Sequence, residues 1–349
     1  MTDPTYDLIK IKSSDVQVVR TTLIFSTNKI LPISEPFQET KISYIDDDLL
    51  NQINILSEPS KDVKFIEVSK KIHQFPELKS NKFKSKDAIK MANIDALIGL
   101  THHIHGALIP HTYDPVVFKN NDVILDISKK LSQSMLVGPS YCDIYGGPGG
   151  FTEYLKWRIP GSYGYGFTPR SKEWNKNLIK ERHEDDRSGF KIIYGENDKS
   201  SGDITIDGYI FVDKVITKEV LGVDFIVATG DLSDGELALE FLYSLFLIRS
   251  GGNILIKLND SWSKLIADMI YIYSLVFDSI EIIKPVMSDP GSSERYLWCK
   301  GRRNQIDEIS ELLLSVRDES VVGLFPELPS DFKVWLTNAN NFLAKKQLK

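Results

Sequence analysis

The stretch CDIYGGPGGFTEYLKW, residues 142–157, decides how the rest of the chain is read. An apolar, strand-like run ends in Gly146-Gly147-Pro148-Gly149-Gly150, and a helical pattern begins at once. Each glycine costs backbone entropy, roughly 0.5–1 kcal/mol relative to alanine in regular structure. Four of them in one turn therefore point beyond a tight connection. A turn without side chains, at the carboxyl end of a strand and opening onto the N–H groups of a helix, can cradle a polar or anionic ligand. It is not a phosphate-binding P-loop, because no Gly-Lys-Ser/Thr follows. A dinucleotide site would want GxGxxG and an acid about 20 residues on; the second strand ends instead in Phe167-Thr168-Pro169.

Outward from this turn, short apolar runs alternate with helical ones. SYCDIY, FTEYLKW and YGYGFT are followed by FIVAT, ELALEFLYSLFLI, NILIKL, KLIADMIYIYSLVF and SIEIIK, and RYLWCK, 295–300, closes the series. The alternation predicts an α/β fold with a mainly parallel sheet and helices on both faces. Upstream, KSKDAIKMANIDALIGL, 84–100, puts Ala88, Met91, Ala92, Asp95 and Ile98 at helical spacing, which predicts one amphipathic helix. The first eighty residues mix short β-rich runs, Val16 to Phe25 among them, with polar loops such as Tyr44 to Asp48, and carry no assignable chemistry. Three segments are expected: an N-terminal extension over 1–80, the α/β domain over 81–303, and a C-terminal helical segment over 304–349.

The chain has 349 residues, enough for a sizeable core without disulfides or metals. Its two cysteines, Cys142 and Cys299, lie in apolar runs and read as buried thiols of a reducing compartment. No apolar leader and no window of about 18 uncharged apolar residues is visible, which excludes a signal peptide and a membrane span from the expectations. The net charge of −6 argues against a basic coat while leaving room for a local basic patch.

Asp143 to Trp157 resembles the first motif of the cap-specific mRNA 2′-O-methyltransferases within the wider FtsJ-like (RrmJ-like) family. The likeness continues in order through KMANID (90–95), GYGFT (164–168), GDIT (202–205), ILIKL (254–258), SSERYLWCKG (292–301) and IDEISELL (306–313). It covers about residues 84 to 315. It implies a Rossmann-like methyltransferase sheet with an antiparallel last strand, S-adenosylmethionine as cofactor, and no metal. It also implies a cofactor site at Tyr145, Gly146, Gly147, Pro148, Gly149, Gly150 and Phe151, with Asp203 and Ile204 on the adenine side.

Methyl transfer from a sulfonium to a ribose hydroxyl is an in-line displacement, so oxygen, carbon and sulfur must be held collinear. The hydroxyl must also lose its proton, and a lysine can take it only when neutral. Adjacent cations and burial favour the neutral amine, whereas carboxylates favour and orient the ammonium, so a Lys-Asp-Lys-Glu cluster balances opposing effects. By motif, the resemblance assigns Lys90, Lys257 and Glu294 to three places, with Lys257 as the base. Lys257 terminates NILI at the carboxyl end of a strand, where open α/β sheets bind ligands. The fourth place departs from the family pattern. The chain reads FIVATGDLSDG, 225–235, and an ungapped match puts Thr229 where an aspartate belongs. A threonine supplies no carboxylate to offset two lysines, so Asp231, two residues later, is expected to fill the role.

RNA recognition needs phosphate contacts and stacking platforms. Lys79, Lys82, Lys84 and Lys86 form one basic candidate; Arg170, Lys172, Lys176, Lys180 and Arg182, with Trp174 interleaved, form another. The resemblance adds Ser292, Arg295 and Lys86 as substrate contacts. The histidines of THHIHGALIPH, 101–111, lack companion ligands at metal-site spacing and are read as loop residues. The partner implied is RNA, 5′-capped mRNA first, with a capping or transcription subunit beside it. A catalytically impaired subunit that binds RNA and stimulates another capping enzyme, and a methyltransferase of ribosomal or transfer RNA, stay open as alternatives. The expected compartment follows the RNA: cytoplasm or nucleus, or host cytoplasm or virion for a viral protein.

Overall fold

The computed structural model describes residues 43–57, 83–102, 138–159, 161–179, 189–285, 287–288, 291–303, 314–317 and 321–348. Val16 to Phe25, Lys79, Lys82, Lys180, Arg182, IDEISELL and the histidines beyond His102 lie outside them. The helices are α1 (Asp47–Ser57), α2 (Lys86–Ile98), α3 (Gly150–Arg158), α4 (Lys176–Ile179), α5 (Ile204–Ile216), α6 (Asp234–Leu247), α7 (Lys264–Val276) and α8 (Ser330–Gln347). The strands are β1 (Ser140–Ile144), β2 (Tyr163–Phe167), β3 (Gly189–Ile192), β4 (Val223–Ala228), β5 (Ile248–Leu258), β6 (Phe277–Ile283) and β7 (Arg295–Arg302).

The seven strands follow the order β3-β2-β1-β4-β5-β7-β6. β1 pairs in parallel with β2 and with β4, and β2 with β3; β7 runs antiparallel to β6. This is the Rossmann-like sheet with an antiparallel final strand that the sequence leads one to expect. The strand order reverses direction beside β1, so the glycine turn lies where such sheets bind ligands.

The described residues fall into two compact units. The first holds 83–230 and 243–255; the second holds 43–57, 231–242 and 256–348. In the first, the YGYGF pattern of β2 makes room for rings. A Cβ at Gly164 would lie 2.4 Å from the Tyr141 ring, and one at Gly166 would lie 2.4 Å from Phe190. Tyr141 stacks on Phe225, and Phe167 on Phe211, so the apolar faces of the strands are filled by aromatic packing. Cys142 is buried and free.

In the second unit the Phe241 and Tyr273 rings meet edge-on at 4.7 Å, and the Tyr273 hydroxyl donates to the Phe241 carbonyl. The Asp268 carboxylate of α7, buried beside the Lys264 ammonium, also accepts the Leu324 and Phe325 N–H groups, which ties the 321–328 segment to α7. The Cys299 thiol is buried there.

Tyr44 to Asp48, expected as a polar loop, is only partly one. Tyr44 and Ile45 are buried, and the Asp46 carboxylate accepts the Asp48 and Leu49 N–H groups to cap α1. Acidic residues around a helix start are favoured by its exposed donors and dipole, and an acidic cluster therefore marked a helix N-terminus. Among the described residues, no helix is long and apolar enough to cross a membrane.

Candidate active site

The glycine turn is built from β1 outward. Tyr145 adopts a positive φ of 55°, and its N–H donates to the Phe167 carbonyl. Its hydroxyl accepts the Ile204 N–H at 2.9 Å, so two of the expected ligand residues, Tyr145 and Ile204, are joined directly. Asp203 caps α5, its carboxylate accepting from the Thr205 N–H and hydroxyl. Gly149 has φ 107°, a conformation that favours glycine.

The glycines allow close packing of protein on their Cβ sides. A Cβ at Gly146 would fall 1.8 Å from Asp143 Oδ1, one at Gly147 2.0 Å from the Lys172 carbonyl oxygen, one at Gly149 2.5 Å from Ile179, and one at Gly150 2.4 Å from Ser85 Oγ. Pro148 is exposed and its carbonyl accepts the Asn175 N–H; Phe151 is buried.

Beneath the turn sits a group that the sequence reading did not single out. Asp143 is fully buried, and its Oδ2 accepts the Thr152 hydroxyl at 2.6 Å, while Oδ1 has no hydrogen-bond partner. Burial pushes its carboxyl up to about 7, against the hydrogen bonding of Thr152. Thr168 Oγ1 is likewise buried without a partner. The signal was present: a carboxylate inside an otherwise apolar strand, three residues before a glycine turn, is costly unless something uses it.

Lys90 and Lys86 stand on α2 in this same unit, Lys86 exposed and Lys90 half-buried. α2 is fastened to α3 at both ends. The Glu153 carboxylate accepts the Lys84 and Ser85 N–H groups, and Ser85 caps the helix through the Asp87 N–H. At the other end the buried Asp95 accepts the Thr101 N–H and hydroxyl and the Tyr154 hydroxyl, with Arg158 Nε 3.6 Å away. The glycine turn opens directly into α3, so the helix carrying Lys90 is registered to it.

The second unit carries the other candidates. Lys257, near the carboxyl end of β5, places its ammonium 3.7 Å from Asp231 Oδ1; the lysine side chain is 17% exposed and the aspartate 70%. Asn259 donates to the Leu232 carbonyl, which ties the end of β5 to the segment following Asp231. Thr229 belongs to the first unit, where its N–H donates to the Ile144 carbonyl and prolongs the pairing of β4 with β1.

Glu294 is held rather than left in an open turn. Its Oε1 accepts hydroxyls from Ser288 at 2.8 Å and Tyr296 at 2.9 Å, and the Lys284 ammonium binds the carbonyls of Glu294 and Ser292. Arg295 is 1% exposed; its guanidinium donates to the Ser293 carbonyl, Ser261 Oγ and Asn340 Oδ1 and lies over the Trp262 ring. Its geometry is that of an interior strut, not of an RNA contact. Burial pulls its guanidinium down to about 10, against the Asp260 carboxylate.

The basic candidates differ in their availability. Arg170 binds the Ser200 and Asp198 carbonyls and covers the Tyr194 ring, while Lys172 and Lys176 are exposed. Trp174, expected as a stacking platform, is instead 5% exposed and packs edge-on against Phe190, because Gly149 and Gly166 leave room for its ring.

A family model of FtsJ-like methyltransferases matches residues 124–302, more than half of the chain. The chain belongs to the FtsJ-like methyltransferase family. Among its relatives, the cap-specific mRNA (nucleoside-2′-O-)-methyltransferase 1 of Danio rerio is 27% identical over 296 residues, covering 76% of this chain and 34% of the relative. The Mus musculus protein of the same name is 32% identical over 193 residues, covering 50% of this chain and 23% of the relative. The chain thus spans about a quarter to a third of the length of these relatives. Among solved structures, a fibrillarin/Nop5p complex aligns with a TM-score of 0.33 at 11% identity, over 50% of this chain and 81% of that one, too distant to add to the assignment.

Proposed function

We propose that this FtsJ-like protein is an S-adenosylmethionine-dependent RNA ribose 2′-O-methyltransferase acting on the first transcribed nucleotide of capped mRNA. The observation that carries the reading is the Lys257 ammonium at the end of β5, 3.7 Å from the Asp231 carboxylate. A lysine at the carboxyl edge of an open α/β sheet, oriented by an acid, is suited to a hydroxyl that must be positioned and deprotonated.

The residues of the first unit fit the cofactor. Asp143 Oδ1 and Thr168 Oγ1 are buried acceptors without partners, and they border Gly146 and Gly147. An amino-acid ammonium supplies the donors that such acceptors lack. Tyr145 and Phe151 would flank its methionine portion, with Asp203 and Ile204 on the adenine side. When bound, S-adenosylmethionine supplies an electrophilic methyl group.

In this proposal Lys257 takes the ribose O2′ proton at Nζ in its neutral form and holds the oxygen in line. Asp231 orients the Lys257 amine. Glu294, fixed by Ser288 and Tyr296, positions the ribose, and Lys90 contributes the second amine. Lys86 and Ser292 serve the RNA, while Arg295 acts by holding the segment beside Glu294.

Methyl incorporation from labelled cofactor into capped RNA tests the reading: Lys257→Ala is expected to lose transfer while keeping cofactor binding. Thr229, where the family carries an acid, favours a second reading, a methyltransferase-fold subunit that binds RNA without turnover and stimulates a capping enzyme. Uncapped ribosomal or transfer RNA as acceptor separates the remaining substrate choice.

A further inference from the structure

The family model ends at Arg302, yet the group that joins the segment following Lys257 to the residue following Glu294 comes from α8, which begins at Ser330. Asn340 is completely buried at the middle of α8. Its Oδ1 accepts Ser261 Oγ at 2.5 Å and Arg295 Nη1 at 2.8 Å. Its Nδ2 donates to the Tyr44 carbonyl at 2.8 Å and the Ser261 carbonyl at 3.0 Å.

Both donor hydrogens and the acceptor oxygen are thus committed to three segments far apart in sequence. Ser261 lies four residues beyond Lys257, and Arg295 directly follows Glu294. Arg295 also donates to Ser261 Oγ at 3.1 Å and to the Ser293 carbonyl at 2.9 Å, which closes a ring of hydrogen bonds around Asn340. At the end of α8, Gln347 Nε2 donates to the Gly291 carbonyl at 2.8 Å. The 291–295 segment is therefore held by α8 at two points, Asn340 and Gln347, about 10 Å of helix rise apart at about 1.5 Å per residue.

We infer that Asn340 is a positioning residue for the proposed methyl transfer, setting the spacing between the end of the Lys257 strand and Glu294, and that α8 is an integral part of the catalytic unit. The physical ground is that buried, fully satisfied polar networks fix one geometry, because any shift leaves a buried donor or acceptor unpaired. Misplacement of a reacting group by about 1 Å can cost about a hundredfold in rate. Loosening this brace therefore moves turnover more than it moves binding of the methyl donor, whose proposed contacts lie on other segments. The inference rests on the reading of Lys257 and Glu294 given above.

The test compares the full-length wild-type chain with Asn340→Leu, which removes every bond of the node, and Asn340→Asp, which keeps the acceptor toward Arg295 and Ser261 Oγ. Asn340→Leu is expected to lower kcat on capped RNA roughly ten- to a hundredfold, with the Kd for S-adenosylmethionine by calorimetry within about twofold of wild type; Asn340→Asp is expected to recover part of the rate. Hydrogen exchange of the 259–263 and 291–296 amides is expected to rise selectively in Asn340→Leu. Gln347→Ala, a milder variant at the second point of attachment, is expected to shift exchange in 291–293 and lower kcat by a smaller factor. Full turnover and unchanged exchange in a folded Asn340→Leu protein overturn the inference and leave the RNA reading standing. Parallel loss of donor binding and turnover in both variants overturns it in favour of a purely structural role. A wild-type chain that methylates no RNA overturns the RNA reading and the catalytic part of the inference together, and the exchange data then stand alone as the test of the brace.

Discussion

Lys257 and Asp231 face one another across 3.7 Å, with the lysine mostly enclosed and the aspartate mostly in solvent. The asymmetry gives the two residues different roles. An exposed carboxylate pairs weakly, by about 0–1 kcal/mol, so Asp231 orients Lys257 more than it stabilises the fold. Asp231→Asn is expected to lower methyl transfer roughly tenfold or more with little change in melting temperature. An unchanged kcat would move the role of the family acid elsewhere, and a gain of activity in Thr229→Asp would show where.

Asp143 makes stability depend on pH in a defined direction. Its folded carboxyl is raised from 3.8 to about 7, so between those values the folded chain keeps a proton that the unfolded chain releases. This contribution is fully present below about pH 4 and is lost as the pH rises through about 7. Asp143→Asn is expected to flatten the stability profile across that window in denaturant titrations. If Oδ1 takes the cofactor ammonium, wild-type affinity for S-adenosylmethionine rises through pH 7, because the ionised carboxylate attracts the cation. The Asn variant is expected to show no such rise by calorimetry.

The brace between α2 and α3 should be sensitive in proportion to what remains behind. Tyr154→Phe deletes one hydrogen bond to Asp95 and is expected to cost about 1 kcal/mol. Asp95→Ala leaves the buried Arg158 without its counterion and strips the Thr101 and Tyr154 hydroxyls of their acceptor. It is expected to cost about 3–5 kcal/mol in urea unfolding. Equal effects of the two variants would mean that neither the ion pair nor the Thr101 hydrogen bonds contribute.

Two glycines in different settings should respond oppositely to alanine. Gly146→Ala, in the turn after β1, drives a Cβ into Asp143 and is expected to destabilise by about 1–3 kcal/mol and to weaken cofactor binding. Gly235→Ala, in the first turn of α6, meets nothing within 4 Å and is expected to be neutral or to gain up to about 1 kcal/mol. Thermal melts of both variants read the difference.

The sheet was legible because its signals are local: apolar runs of strand length, a glycine turn, and helical spacing between them. β5 proved longer than NILIKL because Ile248 to Gly252, with its glycines and Arg249, carries no apolar pattern, and its pairing comes from neighbouring strands. Asp95 was visible on the apolar face of α2, where a buried carboxylate demands partners, but Tyr154 and Arg158 cannot be named from spacing alone. Trp174, interleaved with basic residues, reads as a stacking platform, and Arg295 enters as an RNA contact through the family resemblance; the volumes left by Gly149 and Gly166, and the acceptors offered by Asn340 and Ser261, draw these side chains inward. Asn340 lay beyond any motif, since a single asparagine in a helix carries no pattern, and its importance arises wholly from what the fold brings to it.

The most direct test of the proposed activity is labelled methyl transfer from S-adenosylmethionine to a capped RNA, followed by alkaline hydrolysis. Ribose 2′-O-methylation blocks cleavage at the modified nucleotide. The expected result is label in an alkali-resistant fragment at the capped end, absent with Lys257→Ala although that variant still binds the cofactor. Label released by alkali, or full labelling by Lys257→Ala, would contradict the assignment of Lys257 as the base for a 2′-hydroxyl.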